Sequence, residues 1–352
     1  MTVSEEQALD KIERVRAKPL RFRDDRITMA HGAGGKATLA LIEGLFAPAF
    51  GLEELDDAAA VGGELAVTTD SFVVKPIRFP GGSIGELAVN GTVNDLAVSG
   101  ARPLALTVSL VLEEGLPADE LRAEVEAIAR AAEAAGVRVA AGDTKVVERG
   151  RCDSMYVTTT GIGRRDDRAQ LSPASLEDGD RILVSGPVGE HGTAIMLARG
   201  EFELDAPVES DTHSLWPAVD ALLEAAGQSL RCLRDATRGG LASVANELAR
   251  SSGVGIVVRE ADVPVSGAVA GACEILGIDP MYVANEGRLV AFVGFEAAAD
   301  ALEALRRVPG SEGAAEIGEV TADQPGLVLV ETAFGGRRVM DLLVGDPLPR
   351  IC

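Results

Sequence analysis

Leu106-Thr107-Val108-Ser109-Leu110-Val111-Leu112 alternates apolar and polar residues with the period of two expected of a strand buried on one face. Pro117 then opens a helix on which Leu121, Val125, Ile128 and Ala132 share one face, and Gly136 supplies its C-terminal cap. Residues 137–141 return as a strand and residues 155–161 form another. Strand, helix and strand joined by glycine-rich turns make one α/β half, which runs to about Arg168.

The polar stretch 164–180, with its charge runs and Pro173, reads as a linker. A second half begins with an apolar strand at 181–185. It continues with a helix whose Leu241, Val244, Ala245 and Leu248 share a face and which ends near Gly253. Strands at 256–258, 289–292 and 326–330 and a helix at 297–307 complete it. Neither half keeps the strict alternation of a doubly wound sheet, so a two-domain α+β architecture is expected. The expected boundaries are an N-terminal extension 1–26, a domain 27–168, a second domain 178–344 and a mobile C-terminal tail 345–352.

The 352 residues carry a formal net charge of −22, which argues against nucleic-acid binding. No apolar run is long enough to span a bilayer, and residues 1–26 are charged and lack a signal-peptide core. A cytoplasmic protein with no membrane partner is expected. The cysteines Cys152, Cys232, Cys273 and Cys352 form no CxxC pair, and there are only three histidines, so neither a disulfide framework nor a zinc site is expected.

Acids recur in short segments that read as strand ends: Asp56-Asp57-Ala58-Ala59, Thr69-Asp70-Ser71, Asn94-Asp95-Leu96, Gly142-Asp143-Thr144-Lys145 and Arg234-Asp235-Ala236-Thr237-Arg238-Gly239-Gly240. Each Asp taken singly serves equally as a helix cap or an Asx-turn. Together they suit Mg²⁺, a hard cation held by a few carboxylates and the phosphate oxygens of a nucleotide. His31-Gly32-Ala33-Gly34-Gly35-Lys36 is a glycine-rich loop but not a Walker A sequence, since Ala30 and Ala37 stand where Gly and Ser/Thr belong. It reads either as a plain turn or as a loop offering backbone N–H groups to phosphates. Residues 185–192 (SGPVGEHG) read as a strand-to-helix turn rather than a catalytic site for His191. In Ala284-Asn285-Glu286-Gly287 the acid is either a surface charge or a buried base. The chain closes on Leu348-Pro349-Arg350-Ile351-Cys352; with Pro347 and Pro349 it is biased to extended backbone and reaches roughly 25 Å from Gly345.

In order, HGAGGK, DDAA, TTDSFVV, FPGG, LAVNGTVNDLA, GDTKVVE, SGPVGEHG, RDATRGGLA, CEILGIDP, ANEG and PRIC resemble the HypE family of hydrogenase maturation proteins, over about residues 27–352. No one motif is decisive; the ordered set is specific. The resemblance implies carbamoyl dehydration: an S-carboxamide on Cys352 becomes a thiocyanate at the expense of ATP, for the cyanide ligands of the [NiFe]-hydrogenase iron. It implies the fold of aminoimidazole ribonucleotide synthetase and selenophosphate synthetase, with N-terminal sheets pairing into a barrel across a homodimer. Asp57, Asp70, Asp95 and Asp235 are then expected to bind Mg²⁺ and the triphosphate. His31, Gly32, Gly34, Gly35, Lys36, Asp70, Ser71, Asn94, Gly142, Asp143, Thr144 and Arg238 are expected to contact ATP. Lys145 and Glu286 are expected to handle protons and Cys352 to carry the substrate. The implied partners are the carbamoyltransferase HypF and a HypC–HypD iron scaffold. A selenophosphate synthetase, which needs a reactive Cys or selenocysteine in the glycine-rich loop, is disfavoured because no cysteine precedes Cys152. A carrier without ATP chemistry is disfavoured by the acids.

Overall fold

The computed structural model describes residues 21–52, 55–200 and 206–344. Its first sheet holds β1 (Ala59–Val61), β2 (Leu65–Phe72), β3 (Ala101–Glu113), β4 (Arg138–Val147) and β5 (Met155–Arg165), in the order β1-β2-β5-β3-β4. Between β2 and β3 runs helix α1 (Ile84–Val98), and between β3 and β4 runs α2 (Ala118–Ala134). β3 and β4 are parallel, so β3-α2-β4 is a crossover unit, as the LTVSLVL reading implies; the other pairings in this sheet are antiparallel.

One face of this sheet packs Phe72, Val108, Leu112, Met155 and Val157 against α1 and α2. The opposite face shows Thr69, Ser71 and Thr158 to solvent, with Thr69–Thr160 and Ser71–Thr158 hydroxyl pairs across β2 and β5. The edge strand β4 is exposed from Arg138 to Val146.

The second sheet comprises β6 (Arg181–Val184), β7 (Leu230–Asp235), β8 (Gly255–Arg259), β9 (Leu289–Val293), β10 (Ala315–Thr321), β11 (Val328–Glu331) and β12 (Arg337–Val339), in the order β12-β11-β8-β10-β6-β9-β7. Helices cover both faces. Val290 and Phe292 of β9 point to α5 (Gly240–Ser252), whereas Leu289, Ala291 and Val293 point to α4 (Trp216–Ala226) and α7 (Ala298–Arg306). Double coverage makes β9 a continuous apolar run without alternation. The SGPVGEHG turn leads from β6 into α3 (Glu190–Ala198), as expected, and His191 is buried with Nδ1 2.8 Å from Ser210 Oγ.

α1 joins the two halves. Its sequence IGELAVNGTVNDLAV has no polar face, and all but Glu86 and Asp95 are buried, because the first sheet and α2 lie on one side and β7 and α4 on the other. Gly91 lets Phe72 approach, since a Cβ there would lie 2.8 Å from the Phe72 ring. Among the described residues no helix is long and apolar enough to cross a membrane.

Candidate active site at the domain junction

Asp70 lies within β2 and Asp95 on α1, with Asp57 in the segment before β1 and Asp235 on the last residue of β7. Only Asp235 and the segment ending at Asp57 match the expectation of strand ends. Period-two geometry puts Thr68 and Asp70 on the helix-covered face of β2. There Thr92 Oγ1 of α1 donates to Asp70 Oδ2 at 3.2 Å, and Thr68 Oγ1 donates to Asp95 Oδ2 at 2.8 Å. Arg234 Nη1 donates to Asp57 Oδ2 at 2.7 Å and also to Asp56 Oδ1.

These acids feel one another. Burial, offset in part by the Arg234 guanidinium, pushes Asp57 up to about 6. Burial, and then the charges of Asp70, Asp235 and Asp57, hold the Asp95 carboxyl well above the ordinary range. Asp235 is raised likewise by burial and by Asp57 and Asp70. Glu286 is buried, not a surface charge; burial and its neighbours Asp235 and Asp211 raise it, against the pull of Arg238. Its N–H donates to Asp211 Oδ1 at 3.0 Å. Four aspartates and one glutamate from both domains thus share one electrostatic site. Among the described residues no group of three or more acidic, histidine or cysteine side chains is arranged to hold a metal ion unaided.

The segment after β7 turns through Gly239 (φ 75°) and Gly240 (φ 58°) into α5, setting the helix N-terminus beside Asp235. The glycine-rich loop packs on it. A Cβ on Gly34 would lie 2.7 Å from the Arg238 carbonyl oxygen, and Ser243 Oγ donates to the Gly34 carbonyl at 2.9 Å.

The structure shows what several of the expected site residues hold. Asn94 is buried, and its whole amide holds backbone: Nδ2 donates to the His213 and Glu286 carbonyls at 3.0 and 3.1 Å, and Oδ1 accepts from Leu215 N at 2.8 Å. It is an interdomain brace. His31 is also committed within its loop, Nδ1 accepting from Thr28 N at 3.0 Å while Nε2 lies 3.1 Å from Asp24 Oδ2. Within the loop, Ala33 N, Gly34 N and Lys36 N donate to Ala30 O, Thr38 Oγ1 and Leu343 O. Gly32 lies clear of any neighbour.

Lys145, expected to handle protons with Glu286, lies on β4. Asp70, Thr159, Val108 and Gly142 form one cross-strand row, and Ser71, Thr158, Ser109 and Asp143 form the next. Gly142 and Thr144 therefore share the face of Asp70, whereas Asp143 and Lys145 project with Ser71 from the opposite, open face. Lys145 Nζ is 2.6 Å from Asp143 Oδ2 at the exposed edge, and this pairing lowers the Asp143 carboxyl. Cys352 lies outside the described residues.

Sequence reasoning assigned no role to Arg234, Asp211 or Asn285. Arg234 was legible as the arginine preceding Asp235. Asn285 ties ANEG to SGPVG, with Oδ1 accepting from Gly189 N at 2.7 Å and Nδ2 donating to Ala236 O at 2.8 Å. Asp211 sits in a segment without repeat or motif, and nothing in the sequence singles it out.

Comparison with known proteins gives the lineage. Residues 55–165 match the N-terminal domain of AIR synthase related proteins and residues 177–330 the C-terminal domain. The carbamoyl dehydratase HypE of Rhodobacter capsulatus is 49% identical over 339 residues, covering 94% of this chain and 99% of that one. A crystal structure of a HypE–HypF complex superposes with a TM-score of 0.83 at 44% identity, covering 86% of this chain and all of that one. HypE crystallised with ATP gives a TM-score of 0.79 at 43% identity, covering 93% and 100%. With both halves matched in order and nearly half the residues identical over almost the full length, the chain belongs to the HypE family of carbamoyl dehydratases, on the two-domain α+β fold of the AIR synthase related proteins.

Proposed function

We propose that the protein dehydrates an S-carboxamide carried on Cys352 to a thiocyanate, consuming ATP and supplying cyanide for a [NiFe]-hydrogenase iron. The observation that carries this reading is the junction site, where Asp57, Asp70, Asp95, Asp235 and Glu286 converge against mutual repulsion. Such a set is stabilised by a cation and, through it, by a triphosphate. The oxygen-only donor set suits Mg²⁺, which takes one or two carboxylates together with phosphate oxygens. Asp57, Asp70, Asp95 and Asp235 would hold it. When bound, Mg²⁺ offsets phosphate charge and aligns the transferred group.

In the balanced reaction the carboxamide oxygen attacks the γ-phosphorus and ADP leaves. The nitrogen then gives up two protons as the C–O bond breaks, releasing phosphate and leaving Cys352–S–C≡N. The α5 N-terminus at Gly239–Gly240, with Arg238, presents N–H dipoles and positive charge for the phosphates. Glu286, held above the ordinary carboxylate range by burial and by Asp235 and Asp211, is the group proposed to take up a nitrogen proton. Gly142 and Thr144, which share the face of Asp70, are proposed to contact ATP, and Ser71 and Asp143, on the opposite face, to reach the nucleotide of a second copy.

The exposed β4 edge supports a homodimer. A ten-residue edge, Arg138–Val147, unpaired on its outer side among the described residues, is a template for strand pairing, and Val139 and Val146 are exposed along it. Pairing there would carry Lys145 of one copy toward the Glu286 site of the other. HypF is proposed as the donor of the carbamoyl group, supported by the relative crystallised with it, and a HypC–HypD complex as the cyanide acceptor. The deciding experiment is intact-mass analysis of the carbamoylated protein before and after Mg-ATP. The C-terminal peptide should lose the mass of one water; an unchanged mass in protein that binds ATP would overturn the reading.

A further inference from the structure

The glycine-rich loop has two sides, and only one meets the junction site. Gly34 packs on Arg238 and Ser243. The other side grips the segment that follows β12. Lys36 Nζ pairs with Asp341 Oδ2 at 2.6 Å, and Lys36 N donates to the Leu343 carbonyl at 3.1 Å. A Cβ on Gly35 would lie 2.6 Å from that same carbonyl oxygen. Gly35 has φ −105° and ψ −160°, backbone that any residue adopts, so the demand for glycine comes from the approach of Leu343 alone.

Residues just upstream are also fixed. Met340 is buried, its N–H donates to Val328 O at 2.9 Å, and its carbonyl accepts from Asn246 Nδ2 at 3.0 Å. Val344, by contrast, is 78% exposed. Leu343 is therefore the last anchored point among the described residues, and the chain beyond it can span at most about 30 Å. A half-exposed ion pair alone contributes little. Here it acts with a backbone hydrogen bond and a close approach that only glycine permits.

We propose that Gly35, Lys36 and Asp341 are positioning residues that clasp the root of the tail. The clasp fixes where the tether starts relative to the α5 N-terminus, one loop away, and so limits the volume the terminal thiol searches. This assigns Lys36 to the substrate tether and not to ATP, and it rests on the dehydratase reading of Cys352. For a tethered reactant, origin and reach set the effective concentration at the site.

The test uses the full-length carbamoylated protein with Mg-ATP and follows loss of water by intact mass. Gly35→Ala and Asp341→Asn should slow conversion roughly ten- to a hundredfold while the ATP concentration for half-maximal rate stays within about twofold. Lys36→Met should match Asp341→Asn, and the double variant should be no slower than either. Melting temperatures verify that the variants are folded. Wild-type rates in Gly35→Ala and Asp341→Asn would overturn the clasp, as would a raised ATP requirement confined to Lys36→Met, which would mark a phosphate ligand. Hydrogen exchange at the Lys36 amide reads the clasp without catalysis. It should accelerate about tenfold in Gly35→Ala, and an unchanged rate overturns the proposal even if the wild type fails to dehydrate. Failure of the wild type alone counts against the dehydratase reading, not the clasp.

Discussion

Asn94 Nδ2 donates to the backbone carbonyl of Glu286 at 3.1 Å, so the helix that belongs to the first sheet holds the acid that belongs to the second. The same side chain fixes His213 and Leu215. The junction site is thus a product of domain docking, and its acids keep their relative places only while α1 stays in register with the second domain.

Asn94→Ala should therefore act through stability. It leaves two buried carbonyls and one N–H without partners, which costs about 3 kcal/mol. Thermal unfolding should shift down clearly, while the fraction that remains folded binds ATP with near-wild-type affinity in titration calorimetry. A large loss of affinity at unchanged melting temperature would show that Asn94 touches the nucleotide after all.

The acid cluster gives a prediction of opposite sign. Asp95 is held well above the ordinary carboxylate range, so between its ordinary and its folded value the native state carries a proton that the unfolded state has released. Its contribution to stability must then fall as pH rises through that window. Asp95→Asn keeps the Thr68 hydrogen bond available and removes the repulsion. It should stabilise the protein in EDTA by on the order of 1 kcal/mol at pH 7, less at pH 5, while abolishing dehydration. A variant less stable than wild type under those conditions would contradict the electrostatic account.

Cation binding should carry its own pH dependence. Asp57 is raised to about 6, and it must be ionised to ligate. Affinity for Mg²⁺, measured as the magnesium-induced rise in melting temperature with ATP present, should weaken as pH falls from 7.5 through 6. A flat profile across that interval would remove Asp57 from the ligand set.

How much of this was legible follows from how each feature is encoded. The β3-α2-β4 unit is local: alternation in 106–112, a helical face from Leu121 to Ala132 and a glycine at 136 each dictate one element, and the structure has them. α1 carries no such signal, because a helix enclosed on all sides has neither period nor polar face. Asp70 is mid-strand for a related reason, since its neighbours Thr69 and Ser71 make the exposed face of β2 as polar as a turn. The acids of the site were legible as a set because carboxylates recur in apolar surroundings. The roles of Lys36 and Asn94 were not, because a hydrogen bond to a residue distant in sequence leaves no trace around either partner. Facing direction on β4 was readable in principle: residues 142 and 144 must point one way and 143 and 145 the other. Which way is the site depends on register across two intervening strands.

That register makes the last prediction one of complementation. Lys145 projects from the face opposite Asp70 and so cannot join Glu286 of its own chain, but the open β4 edge offers a second copy a place to bring its own lysine. Lys145→Ala and Glu286→Ala proteins should each fail to dehydrate their carbamoylated tails. Mixed after dissociation and reassociation, they should form hybrid dimers with one intact site in two, converting about a quarter of all chains by random assortment. Mass analysis of the mixture with Mg-ATP reads that fraction directly. No conversion from verified hybrids would mean that both residues serve one chain's site, or that Lys145 has no part in moving the proton.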